Sequence, residues 1–100
     1  MYRLIYQDGD TPQAYTFTEG EVTIGRSPDC QIVLKDFGIS RTHAELRRSG
    51  GDVTVVDLGS TNGVVVDGER VTEARLRDGT RVVLGSTTLV FHEQPARGRS

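Results

Sequence analysis

Residues 53–68 read Val53-Thr54-Val55-Val56-Asp57-Leu58-Gly59-Ser60-Thr61-Asn62-Gly63-Val64-Val65-Val66-Asp67-Gly68. Two runs rich in β-branched residues, 53–58 and 64–66, are separated by a loop of Gly, Ser, Thr and Asn and followed by an Asp-Gly pair. β-branched side chains fit a pleated, half-buried surface, and Asn-Gly and Asp-Gly favour tight turns between strands. The stretch predicts strand, loop, strand and turn. The same rhythm continues outward. Tyr2, Leu4 and Tyr6 alternate with Arg3, Ile5 and Gln7, Val22 and Ile24 flank Thr23, Ile32 and Leu34 flank Val33, and Ala44 and Leu46 flank Glu45. Toward the end come Arg81-Val82-Val83-Leu84 and Thr87-Thr88-Leu89-Val90-Phe91. A period of two sends successive side chains to opposite faces of a sheet. Asp8-Gly9, Gly50-Gly51 and Asp78-Gly79 are further turn pairs. Roughly nine to eleven short strands at this spacing point to an all-β sandwich or barrel. Only residues 71–77 could pass for a helix, and that stretch is short and uncapped.

The 100 residues suit one domain, and 35% apolar with 26% charged residues suits a globular one. No apolar run approaches the roughly 20 residues of a membrane span. The opening Met1-Tyr2-Arg3-Leu4-Ile5-Tyr6 lacks the apolar core of a signal peptide, so a cytoplasmic location is expected. Cys30 is the single cysteine, which excludes an internal disulfide and agrees with a reducing compartment. The formal charge of −2, from 12 basic and 14 acidic side chains, argues against a broad nucleic-acid surface but leaves room for a small cationic site. Residues 94–100 hold Pro95 and Gly98 with nothing apolar larger than Ala96, so the folded domain is expected over 1–93 and a disordered tail or linker start over 94–100.

Three inter-strand loops concentrate polar chemistry: Gly25-Arg26-Ser27, Ile39-Ser40-Arg41-Thr42-His43-Ala44 and Asp57-Leu58-Gly59-Ser60-Thr61-Asn62-Gly63. Taken singly, each feature has an ordinary reading. An Arg at a strand end is commonly a solvated charge, a serine often satisfies its own turn, and Asn-Gly is a hairpin signal. His43 alone reads as a histidine satisfied by backbone. As a set they suit a phosphate monoester lying beside an extended peptide. Arginine presents a planar fork of donors to phosphate oxygens, hydroxyls complete the shell, and Asn can donate to and accept from a peptide backbone.

Gly25-Arg26, Ser40-x-x-His43 and Ser60-Thr61-Asn62-Gly63, in that order, resemble the signature of the forkhead-associated (FHA) family. The likeness runs from about residue 2 to residue 91 and takes in Leu76-Arg77-Asp78-Gly79-Thr80-Arg81-Val82-Val83-Leu84-Gly85. It implies an eleven-stranded, antiparallel-type β-sandwich with ligand loops at one end. It also implies a non-enzymatic module that binds phosphothreonine in a partner protein within Ser/Thr kinase signalling. Recognition of phosphorylated motifs by arginine clusters is a mode of which this family is a known example. By the resemblance, Arg26 and Ser40 contact the phosphate, and Thr61 and, with less weight, Arg41 add contacts. Asn62 holds the peptide main chain, while Gly25, His43 and Gly63 support the loop geometry. Some members carry a basic residue two places before the serine to read an acidic side chain downstream; here that position is Gly38. No cofactor, metal, nucleic acid or membrane is implied.

Other classes find less support. Ser40, His43 and Asp57 lack the Gly-x-Ser-x-Gly elbow of a hydrolase. Cys30, His43 and His92 have no paired spacing for zinc. A domain of the same fold that binds an unphosphorylated surface, or docks on its own chain, would carry the same pocket residues.

Overall fold

A computed structural model describes residues 1–8, 10–18 and 20–93; the tail expected over 94–100 lies outside the described residues. Eleven strands follow in chain order: β1 (Tyr2–Asp8), β2 (Thr11–Phe17), β3 (Glu21–Gly25), β4 (Ile32–Val33), β5 (Ala44–Ser49), β6 (Asp52–Asp57), β7 (Val64–Val66), β8 (Glu69–Val71), β9 (Glu73–Leu76), β10 (Arg81–Leu84) and β11 (Thr87–Glu93). They form a six-stranded sheet, β2-β1-β11-β10-β7-β8, and a five-stranded sheet, β4-β3-β5-β6-β9. The pairings are antiparallel except for β3 with β4, which run parallel through Ile24↔Ile32 and Gly25↔Val33.

The alternation of the sequence sorts side chains between the core and the two outer faces. Leu4 is opposite Phe91, Val82 opposite Leu89, and Leu84 opposite Val64, all buried on the inner face of the six-stranded sheet. The other sheet answers with Val22, Ile24, Ala44, Leu46, Val53, Val55 and Leu76. Tyr2 closes one end of this core, its ring 5.4 Å from Phe17 and 5.8 Å from Phe91. Ile32, Leu34 and Ile39 fill the opposite end, beneath the loops.

Two elements depart from what periodicity shows. β2 is exposed except at Tyr15, half-buried, and Phe17, buried, so apolar alternation marks only its last three positions. Its seven residues nevertheless pair with β1 along their whole length, and Pro12 is tolerated because β2 is an edge strand. The helix-like stretch 71–77 is instead the end of β8 and all of β9, which belong to different sheets. Pairing of Val71 with Val64 and of Leu76 with Val53 overrides the weak local preference. Asp67 (φ 50°) and Gly68 (φ 88°) make the two-residue turn between β7 and β8 that their sequence signals. Among the described residues no helix is long and apolar enough to cross a membrane.

Phe91 has no exposed surface and packs on Tyr2 within the core. Replacing Phe91 with Ala is expected to destabilise the fold by about 3–5 kcal/mol. Urea denaturation checks this; a loss below about 1 kcal/mol would mean the two sheets do not share this core.

Candidate functional site

The loops β3–β4, β4–β5 and β6–β7 and the β10–β11 turn meet at one end of the sandwich, where ladder pairing stops and other groups must satisfy the backbone. The first two loops are zipped by main chain: the Arg26 amide donates to Ser40 O at 3.1 Å and the Ser27 amide to Arg41 O at 3.0 Å. Gly25 permits that approach. A Cβ there would sit 2.8 Å from the carbonyl carbon of Arg41 and 3.1 Å from Cys30 Sγ. The His43 amide donates to Ile24 O and the Leu34 amide to Gly25 O, both at 2.9 Å, so the end of β3 is held from both sides.

His43 is fully buried and ties the second loop to the third. Its Nδ1 accepts from the Ser40 amide at 3.0 Å and its Nε2 lies 2.7 Å from Gly63 O. An amide can only donate, so Nδ1 is the acceptor and Nε2 carries the proton. The third loop is also braced from within. Asp57 Oδ1 accepts from the Ser60 amide and Ser60 Oγ from the Gly63 amide, both at 2.9 Å. Burial pushes the Asp57 carboxyl up, but the Ser60 amide and hydroxyl, with His43 and Arg70, more than offset it and hold it below the usual carboxylate range.

The groups facing outward remain available. Arg26 Nε donates to Ile39 O at 2.6 Å, which fixes the guanidinium and leaves its terminal nitrogens without a partner among the described residues. Ser40 Oγ accepts from the Thr61 amide at 3.0 Å, so its own hydroxyl proton is free to donate outward. Asn62 Nδ2 donates to Gly38 O at 2.7 Å, and its Oδ1 stays open as an acceptor. Arg41 and Thr61 are exposed beside them. The structure thus brings Arg26, Ser40, Arg41, Thr61 and Asn62 to one end of the molecule, with Gly25, His43 and Gly63 beneath them. Two fixed or nearby guanidiniums and two hydroxyls form a set of donors suited to a tetrahedral dianion, with Asn62 Oδ1 beside them as an acceptor.

Asp36 was not marked by any sequence signal. Its Oδ1 accepts from the Gly38 amide at 2.8 Å, and its Oδ2 accepts from the Ser86 amide at 2.8 Å, Ser86 Oγ at 2.6 Å and Thr87 Oγ1 at 2.9 Å. The two sides of this contact are fifty residues apart, so local sequence cannot reveal it. The Ser86 hydroxyl above all, with the Gly38 and Ser86 amides and the Thr87 hydroxyl, lowers its carboxyl to about 2 against the opposing effect of burial. The same contact explains Gly38: a Cβ there would be 3.1 Å from Gly85 Cα and 3.3 Å from Asp36 Oδ1. No group of three or more His, Cys, Asp or Glu among the described residues could hold a metal ion.

Comparison with known proteins gives a consistent picture. The FHA domain family model matches residues 22–85. The glycogen accumulation regulator GarA of Mycolicibacterium smegmatis is 48% identical over 71 residues, covering 71% of this chain and 45% of that protein. The chain spans about half the length of such curated relatives. A solved structure from a study of phosphothreonine-dependent FHA domain interactions superimposes with a TM-score of 0.87 at 37% identity, covering 94% of this chain and 97% of that one. The FhaA FHA domain, solved in complex with the intracellular domain of Rv3910, gives 0.84 at 37% identity over 92% of this chain and 100% of that one.

Two outcomes follow from the loop bracing. His43→Ala leaves the Ser40 amide and Gly63 carbonyl without their buried partner and is expected to lower stability by about 1–3 kcal/mol. Chemical denaturation measures it, and a variant as stable as wild type would show that the bridge is dispensable. Asp36 titrates lower in the folded chain than the roughly 3.9 of an unfolded aspartate, so its contribution is fully present above about pH 4. That contribution is lost as pH falls toward about 2. Urea midpoints between pH 5 and pH 2 should therefore fall less steeply in Asp36→Asn than in wild type; parallel curves would contradict this.

Proposed function

The chain belongs to the FHA domain family, and from that premise we propose that it is a phosphothreonine-dependent protein–protein interaction module in Ser/Thr kinase signalling. Residues 1–93 are the folded binding unit, and the partner is a protein carrying phosphothreonine, written there by a Ser/Thr kinase. Arg26 and Ser40 take the phosphate, Thr61 and Arg41 add donors, and Asn62 holds the peptide main chain. Gly25, His43 and Gly63 maintain the loops. No cofactor or metal takes part, the domain acts in the cytoplasm, and it makes or breaks no bond in its ligand.

The observation that carries this reading is a separation between satisfied and unsatisfied groups. Inward polar groups of the three loops are bonded to one another, whereas the Arg26 terminal nitrogens, the Ser40 hydroxyl proton and Asn62 Oδ1 point outward uncommitted. A phosphothreonine brings about −1.5 to −2 charge and three acceptor oxygens, which the Arg26 nitrogens and the Ser40 hydroxyl match as donors, while Asn62 Oδ1 can accept from a peptide N–H. The likeness to a domain studied for phosphothreonine-dependent interactions supports the choice of ligand. The arrangement also argues against a nucleophile–base pair. His43 bonds the Ser40 amide rather than its hydroxyl, and its other nitrogen faces Gly63 O, so the ring has no free position from which to act as a base.

Isothermal titration with three matched peptides tests the proposal: phosphothreonine, phosphoserine and unmodified threonine. The phosphothreonine peptide is expected to bind, and the unmodified one is not. Burying the extra methyl gives about 0.8 kcal/mol, roughly a fourfold ratio, and β-branching lowers the rotamer freedom lost on binding. A preference of about fivefold or more over phosphoserine follows. Arg26→Ala is expected to weaken binding by about 2–5 kcal/mol with little change in thermal midpoint. Equal affinity for the phosphorylated and unmodified peptides would overturn the proposal.

A further inference from the structure

Arg70 lies outside the three motif loops, yet its guanidinium packs against one of them. The short turn at Asp67 and Gly68 folds β8 back on β7, placing Arg70 opposite Val65 and Val71 opposite Val64. From there the side chain reaches along the sheet to Gly63. A Cβ built on Gly63 would lie 2.9 Å from both Cζ and Nη2 of Arg70. The bare backbone at Gly63 (φ 80°) is what lets the group lie there, one residue beyond Asn62. Asn62 is anchored through Nδ2 to Gly38 in the neighbouring loop, so its immediate surroundings are Gly38 and, through Gly63, the Arg70 guanidinium.

This guanidinium is charged and exposed, and it makes no hydrogen bond or ion pair with any described residue. The nearby carboxylates are accounted for. Asp57 feels the Arg70 charge but forms no ion pair with it, and its Oδ1 is bonded to the Ser60 amide. Asp67 accepts from the Arg81 amide. Glu69 is the neighbour of Arg70 along β8, so its side chain leaves from the opposite face of the strand. The Arg70 N–H donors are therefore held beside the loop that carries Asn62 with no hydrogen-bonded or ion-paired anion among the described residues, Asp57 acting on them only at a distance.

We propose that Arg70 is a second anion-reading position of this site, taking the carboxylate of an Asp or Glu in the bound segment close to the phosphothreonine. The inference rests on the phosphothreonine reading above and specifies the sequence that site selects. A segment whose main chain passes Asn62 advances about 3.3 Å per residue. It comes within reach of the Arg70 fork within about two residues of Asn62. A planar guanidinium favours bidentate pairing with a carboxylate. The position supplies acidic selectivity from β8, at a place separate from Gly38, where the loop contact leaves no room for a basic side chain without a shift.

A degenerate peptide library with phosphothreonine fixed tests this, screened against the wild-type chain and Arg70→Gln. Wild type is expected to enrich Asp and Glu at one flanking position, and Arg70→Gln to lose that enrichment while still requiring phosphothreonine. Titration of two peptides differing only by Asp or Asn at that position should give a ratio of about two- to fivefold for wild type. The ratio should shrink as salt is raised and vanish in Arg70→Gln. If Arg70 merely braced the loop, the substitution would weaken all peptides alike and leave the profile unchanged, which overturns the proposal. A wild-type profile without acidic enrichment overturns it as well, leaving the phosphothreonine reading intact. Binding independent of phosphate removes both.

Discussion

The imidazole of His43 stands where the sandwich stops being a sheet and becomes a site. It receives the Ser40 amide on one nitrogen and reaches Gly63 O with the other, joining two loops that share no ladder of their own. The Gly63 contact is buried and the Ser40 contact part-buried, and a buried backbone group without a partner costs about 1–3 kcal/mol. The loops therefore hold the relative positions this ring dictates. Ser40 and the segment from Ser60 to Gly63 owe their spacing to it, and the Ser40 hydroxyl then meets the Thr61 amide across the same gap. Binding groups fixed before the ligand arrives lose less freedom on association.

Charge follows the same logic. The chain is slightly acidic overall, with 12 basic against 14 acidic side chains, yet the loop end is cationic in effect. Two of its carboxylates are tied to local donors: Asp36 accepts from Gly38, Ser86 and Thr87, and Asp57 from Ser60. Those donors partly balance the negative charge, while the outward guanidinium nitrogens of Arg26, Arg41 and Arg70 have no partner among the described residues. Net charge, summed over the whole chain, says nothing of this distribution.

The sandwich was legible because alternation is a local property. Leu4, Val22, Ile24, Leu46 and Phe91 all carry the period that puts them in the core. β2 was not legible, since an exposed edge strand is specified by its partner rather than by its own apolar pattern. The motif loops stood out through the resemblance of Gly25-Arg26, Ser40-x-x-His43 and Ser60-Thr61-Asn62-Gly63 to a known family, and single residues among them would have carried ordinary meanings. Asp36 and Arg70 escaped for a different reason. Asp36 acts through Ser86, fifty positions away, and Arg70 through the bare backbone of Gly63. Contacts of that kind exist only once the strands have been paired.

The loop end, and no other surface, is expected to hold a phosphorylated segment without rearranging. Amide chemical-shift mapping by NMR during titration with a phosphothreonine peptide tests it most directly. Large shifts are expected at Arg26, Ser27, Ser40, Arg41, Thr61 and Asn62, with the core strands undisturbed and no response to the unphosphorylated peptide. Shifts concentrated on the outer face of either sheet, or spread through β1, β10 and β11, would contradict it.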